Sequence, residues 1–311
     1  MKRLASIFVI FFTCFLFLAS NAVATNNILV LTDVKTEKIY SQLTKLNLDN
    51  PKDLEKGKEF IDKWDFTIVK LSGKLNHFGY DIFSGGYIDY HATVPGVNVW
   101  IAEYPFTRNL NFQSDEAGWW TIFVVKAKNS NLEFSYIYEK EGWITTKSNV
   151  ISVTDEDNTD IAIQYIDPYY YNLALMPAVE SMIGTPIVNA MVVTVGKSWA
   201  SMHSDLLPHG DPGATVSSDP PLYYPYAIGP IYFNEAVQPD PTYPYTSVDG
   251  GVTWINVPLN TYSVTAYKEG ISYETVRFNI TEQDVDNGVI LYIASPPDSV
   301  QGNNDSPPGD W

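Results

Sequence analysis

From Gly85 onward the pattern of apolar and polar residues switches to that of strands, short β-branched and aromatic runs, some of them alternating with polar residues. Tyr87-Ile88-Asp89-Tyr90, Val97 to Ile101 and Trp119 to Val125 are rich in β-branched and aromatic residues. Pro95-Gly96 and Ser114-Asp115-Glu116-Ala117-Gly118 separate them with turn chemistry. Phe134, Tyr136 and Tyr138 alternate with polar neighbours, and short strands follow at 150–153 and 161–164. Ala190 to Val195 reads as another strand, and Asn256 to Tyr262 as a turn between two more. Strands at this spacing, with no helices between them, predict antiparallel sandwiches.

The pattern before residue 85 is different. Val34 to Leu46 and Pro51 to Trp64 are rich in Lys, Glu, Asp and Leu, and Leu43, Leu46, Leu48, Leu54, Phe60 and Ile61 can line apolar faces. Asn50-Pro51-Lys52-Asp53 is a helix start, because Pro is tolerated in a first turn, where its missing N–H has no partner to lose. One or two short helices are expected here, and another over Leu173 to Ile183. Residues 197–246, dense in Pro, Tyr, Gly and Asp, read as a long insertion. Residues 295–311 read as a disordered tail.

The strand region is written twice. Tyr138-Glu139-Lys140-Glu141-Gly142 is echoed by Ala266-Tyr267-Lys268-Glu269-Gly270, an offset of 128. Thr154-Asp155-Glu156-Asp157 is echoed by Thr281-Glu282-Gln283-Asp284, an offset of 127. Solenoid repeats run to roughly 20–50 residues, so a period this long is that of a domain. The expected organisation is a signal peptide at 1–24, a helical or extended segment at 25–83, a first sandwich at 84–167, a linker helix at 168–183, a second sandwich at 184–294 and the tail at 295–311.

The first copy resembles the carboxypeptidase regulatory-like domain, a transthyretin-like β sandwich. The resemblance rests on Gly86 to Asp89, Pro95-Gly96-Val97-Asn98-Val99, Asp115-Glu116-Ala117-Gly118, Trp119 to Phe123, and Tyr136 to Trp143. In the second copy it rests on Pro186 to Val192, Asp249-Gly250-Gly251, Val252 to Ile255, and Asn256-Val257-Pro258 leading to Tyr262-Ser263-Val264-Thr265-Ala266 and Gly270. It covers about 84–166 and 184–294. The resemblance implies a mainly β, Ig-like fold of two tandem sandwiches and a non-catalytic accessory role in an exported or cell-surface protein. The helical start and the insertion depart from the family pattern.

The chain ends and the charge narrow the setting. Lys2 and Arg3, the apolar run Ile7 to Leu18 and Ala22-Val23-Ala24 form a secretory signal cut after Ala24, and the run is short for a bilayer span of about 20 apolar residues. Cys14 is the only cysteine and leaves with that signal. This excludes disulfides, cysteine nucleophiles and thiolate metal sites from the mature chain. The formal net charge of −17 becomes more negative by the two positive charges that leave. A field of that sign repels nucleic acid and anionic lipid.

Three groups of residues carry candidate chemistry. His203, Asp205, His209 and Asp211 crowd imidazoles and carboxylates into nine residues, a donor set that suits zinc or copper; the plainer reading is a stack of turns. Asp155-Glu156-Asp157 with Asp160, and Glu282, Asp284 and Asp286, are acidic turns whose oxygens suit calcium; the plainer reading is a strand connection. Tyr223, Tyr224, Tyr226, Tyr243 and Tyr245 lie among prolines, where exposed rings stack on sugars or peptides and buried ones stiffen loops. Ser198, Ser201 and Ser204 surround His203 without a Gly-x-Ser-x-Gly elbow, and neither a phosphate loop nor a dinucleotide turn is present. The expectation is an exported, non-enzymatic binding or structural protein; the alternatives are a carbohydrate-binding module using the loop tyrosines, and a metal-binding protein or metal-dependent enzyme centred on His203 and His209. Its partner would be a protein or polysaccharide of the cell envelope, with self-assembly a further option.

Overall fold

The computed structural model describes residues 27–31, 36–78, 80–81, 86–87, 93–166, 168, 172, 176–196, 210–223, 227–236, 238–286 and 290–294. The protein is mainly β. Helices α1 (Thr36–Leu43) and α2 (Pro51–Asp62) precede the long strands. The Asn50 side chain caps α2 by accepting from the Lys52 N–H, with Pro51 in the first turn. In the first copy the strands are β1 (Ile28–Val30), β2 (Phe66–Phe78), β3 (Tyr80–Asp81), β4 (Gly86–Tyr87), β5 (Asn98–Ile101), β6 (Phe112–Gln113), β7 (Trp119–Ala127), β8 (Leu132–Phe134), β9 (Tyr136–Glu139), β10 (Thr146–Lys147), β11 (Ile151–Val153) and β12 (Asn158–Ile166). One layer runs β1-β7-β2-β12.

That layer is buried on both faces. Ile122 and Val124 join Val69, Leu71, Phe134 and Tyr136 inside the sandwich. Phe123 and Val125 face the other way, onto Ile39, Leu43, Ile61 and Ile68, under the helices. Two-sided burial removes the need for polar positions, which is why Trp119 to Val125 is almost unbroken in apolar residues. Residues 25–83, expected as a helical and extended piece, thus supply two strands of this layer as well as its helical cover.

The second copy follows helix α3 (Met176–Ile183). It comprises β13 (Ala190–Thr194), β14 (Thr215–Asp219), β15 (Ile228–Phe233), β16 (Pro239–Asp240), β17 (Gly251–Ile255), β18 (Asn260–Tyr267), β19 (Val276–Ile280), the one-turn α4 (Glu282–Asp286) and β20 (Ile290–Ala294). Its core holds Met191, Val193, Trp254, Tyr262, Val264 and Phe278. The segment 197–246, read from sequence as a loop insertion, contains β14, β15 and β16. In β14 the residues between the exposed Thr215, Ser217 and Asp219 are Val216 and Ser218, so only one apolar side chain marks it as a strand.

The copies are equivalent strand by strand. β2 lies between antiparallel β7 and parallel β12, and β13 lies between antiparallel β17 and parallel β20. Asn98 pairs with Glu139 as Thr215 pairs with Tyr267, and Ile151 pairs with Phe134 as Phe278 pairs with Tyr262. The parallel pairs arise because the chain crosses to the opposite layer before returning to the first.

The copies also share a sheet. A nine-stranded layer runs β16-β15-β17-β13-β20-β10-β9-β5-β6, joined where β10 of the first copy lies parallel to β20 of the second. β10 and β13 both run parallel to β20, and β9 runs against β10. The end of β13 and the end of β9 therefore point in opposite directions. Each of these ends is the tip of its copy, so the two tips face opposite ends of the shared sheet.

Candidate functional site

Both tips are built on one turn device. In the first copy the Ser114 hydroxyl accepts from the Val97 N–H at 3.0 Å and donates to the Val94 carbonyl at 2.7 Å. In the second, the Thr246 hydroxyl accepts from the Ala214 N–H at 2.9 Å and donates to the Asp211 carbonyl at 2.6 Å. Gly96 and Gly213 follow a proline in each case and donate to the carbonyls of Ser114 and Thr246 at 2.9 and 2.8 Å. Gly118 and Gly250, at φ +76° and +74°, close the next turn in a conformation that favours glycine. Pro212-Gly213 is thus the counterpart of Pro95-Gly96, although the sequence reading leaves it inside the insertion.

The equivalence isolates what differs. Where the first copy buries Val94, the second buries Asp211, 7% exposed. Lys268 ion-pairs with Asp211 Oδ1, and the Tyr273 hydroxyl donates to Oδ2 at 2.6 Å. The equivalent Lys140 donates to the Pro95 carbonyl at 2.7 Å. Burial, the hydrogen bond to Asp211 and the Asp211 charge all push the Tyr273 phenol up, so it remains a donor. Asp249, 9% exposed, accepts from the Gly251 N–H at 3.2 Å, and burial pushes its carboxyl up to about 7. Gly210 bridges Gly196, and a Cβ on Gly210 would sit 2.2 Å from the Gly250 nitrogen.

His203, Asp205 and His209 lie outside the described residues. Asp211 spends both carboxylate oxygens on Lys268 and Tyr273. Among the described residues no three His, Cys, Asp or Glu side chains come together as a metal cage. Of the acidic turns, Asp155 ion-pairs with the buried Lys126, and Asp157 accepts from the Lys70 N–H at 2.8 Å. Asp284 ion-pairs with Lys147 at 2.7 Å, while Glu282 is exposed. The Asp160 and Asp286 side chains lie outside the described set, as do Tyr224 and Tyr226. Tyr223 and Tyr245 are 54% and 49% exposed, whereas Tyr243 packs against the second core. Sequence reasoning missed Tyr267, 69% exposed at the end of β18. Its signal was available: Tyr262, Val264 and Ala266 point inward, so Tyr267 falls on the outer face.

Comparison with known proteins gives little overlap. No family model matches the chain, and no curated protein matches it. Among solved structures, the TIE protein of Bacillus anthracis shares 13% identity at a TM-score of 0.20, over 74% of this chain and 34% of its own. This chain thus spans about a third of that protein. Shaft pilin SpaA of Lactobacillus rhamnosus GG shares 11% identity at a TM-score of 0.20, over 75% of this chain and 98% of its own. GBS52, the minor pilin of Streptococcus agalactiae, shares 7% at a TM-score of 0.22, over 74% of this chain and 95% of its own. The fold described above rests on its strand pairing, which these likenesses neither extend nor narrow.

Proposed function

We propose that this protein is exported and acts at the cell surface or in the periplasm as a non-catalytic binding or structural module. The observation that carries the reading is the shared nine-stranded sheet, which locks two unequal copies into one stiff body with opposed tips. A stiff body with one plain and one elaborated end suits a bridge between a partner and the rest of an assembly. The polar cluster at the elaborated tip is closed on itself, with both oxygens of Asp211 engaged. Residues 1–24 supply the export signal, and among the described residues no helix is long and apolar enough to cross a membrane.

The test is co-sedimentation of the purified mature chain with the envelope fraction of its own source. Binding that falls when residues 199–207 are replaced by a Gly/Ser stretch supports the elaborated tip as the contact. No binding in any envelope fraction overturns the reading. Two narrower versions have their own supports. The exposure of Tyr223 and Tyr245 favours a glycan or protein partner at the loops. A zinc or copper site would join His203, Asp205 and His209 to Asp211, whose two carboxylate oxygens also face Lys268 and Tyr273. Metal analysis of the protein and its His203→Ala variant decides that version.

A further inference from the structure

We infer that the groove between the two copies is a binding site for a neutral oligosaccharide, a reading that rests on the protein being a binding module. Where the outer face of β18 and β19 meets β11 and β12, the surface opens into a groove of about 670 Å³. Small-ligand sites fall in the range of roughly 300–1,000 Å³. Glu133, Ser152 and Asn158 line it from the first copy, and Ser263, Glu274, Thr275 and Arg277 from the second, so carboxylates outnumber the one guanidinium among these. The site therefore exists only because the two copies share a sheet.

The face that leads into the groove is a lattice of polar side chains. Alternation puts Thr215, Ser217 and Asp219 of β14 outward, with Thr261, Ser263, Thr265 and Tyr267 of β18. Cross-strand pairing sets Ser217 beside Thr265, and Ser263 between Asp219 and Arg277. The Thr265 and Thr275 hydroxyls are 2.7 Å apart, and the Thr261 hydroxyl donates to the Asn279 side chain at 2.6 Å. Neighbouring strands lie about 4.8 Å apart and residues rise about 3.3 Å each, so Ser263 to Tyr267 spans about 13 Å. That is the length of two to three linked sugar rings. Tyr267, the most exposed large apolar residue described, ends this row with an aromatic surface.

The chemistry selects the ligand class. An added peptide strand would need a free ladder on β19. That edge is already occupied: the Val150 N–H donates to the Arg277 carbonyl at 2.6 Å, and Lys147 Nζ to the Asn279 carbonyl at 3.0 Å. Arg277 is ion-paired with Glu133, so the guanidinium is neutralised where an anionic ligand would need it. The strongly negative chain opposes anions further. What the groove offers is hydroxyl, amide and paired-ion hydrogen bonding, with the exposed Tyr267 ring at the far end of the row that leads into it, the complement of an uncharged sugar chain long enough to reach both.

The test is calorimetric titration of the full mature chain with neutral hexasaccharides of the cello, xylo, manno, malto and laminari series. At least one binds the wild type. Thr275→Trp, which fills the groove from an exposed position, and Tyr267→Ala each weaken that binding by about tenfold or more. Thermal melts of the variants confirm their folding, and Ser152→Tyr, which narrows the groove from an exposed position on the first copy, serves if Thr275→Trp fails to fold. The inference is overturned if no hexasaccharide binds at millimolar concentration, or if the groove variants bind like the wild type. Retained envelope binding in those cases leaves the broader reading standing and removes only the groove.

Discussion

The Asp249 carboxyl is buried at the turn into β17, with the Gly251 N–H as its hydrogen-bond donor. Its pKa, raised by burial to about 7 from an ordinary 3.8, makes the folded protein hold a proton that the unfolded chain has released. The sign follows. From about pH 4 to pH 7 the folded state binds more protons than the unfolded one, so this site subtracts stability as pH rises through that window and no further above it. Asp249→Asn keeps the shape and removes the titration. Its stability advantage over the wild type should grow between pH 5 and pH 8, by on the order of 2–3 kcal/mol. Chemical denaturation at the two pH values measures this; an advantage that does not change with pH would show the carboxyl to be hydrated. The same tip shows what a residue's sequence neighbours conceal. Asp211 reads as a metal-ligand candidate because His203, Asp205 and His209 precede it within eight residues, and nothing in that stretch announces its contacts with Lys268 and Tyr273, more than fifty residues away. Position in the alternation was legible and could have exposed Tyr267; the partner of a buried carboxylate was not.

At the scale of elements, the Ser114 and Thr246 hydroxyls each tie a strand start to the turn before the next long strand. Both residues are buried, so removing either oxygen leaves a buried N–H and a buried carbonyl short of a partner. Ser114→Ala and Thr246→Val should each cost about 1–3 kcal/mol, read as a fall in the denaturation midpoint. Comparable losses in both copies would support the equivalence of the two turns; a loss in one alone would contradict it. The elements legible in advance were those whose burial writes a strong pattern. β5, β7 and β13 carry runs of β-branched and aromatic residues, and α2 carries a cap with a proline after it. β14 to β16 escaped because prolines and tyrosines surround them, and in β14 the outward positions are Thr, Ser and Asp. β10 escaped because two residues hold no period at all, yet it is the strand through which the copies join.

That junction governs the whole molecule. Lys147 and Asp284, 3% and 2% exposed, form an ion pair at 2.7 Å across the two copies. Asp284 also accepts from the Thr281 N–H at 2.8 Å and the Thr281 hydroxyl at 2.9 Å, so its negative charge is well satisfied. Burying two charges costs desolvation on each, and replacing such a pair with apolar residues of similar volume is often neutral. Removing one partner is different, because the other charge stays buried alone. Asp284→Asn should therefore destabilise by about 3–5 kcal/mol, and the double change Lys147→Met/Asp284→Leu should recover most of that loss. The location of the pair adds a consequence for cooperativity. Since β10 and β20 splice the two sandwiches into one sheet, the wild type should melt in a single calorimetric transition. In Asp284→Asn the splice weakens before either core does, and the trace should separate into two transitions, one for each copy. A wild type that already melts in two steps would mean that the copies fold independently. The groove and the opposed tips would then lose their fixed geometry together, because both depend on the same two-strand contact.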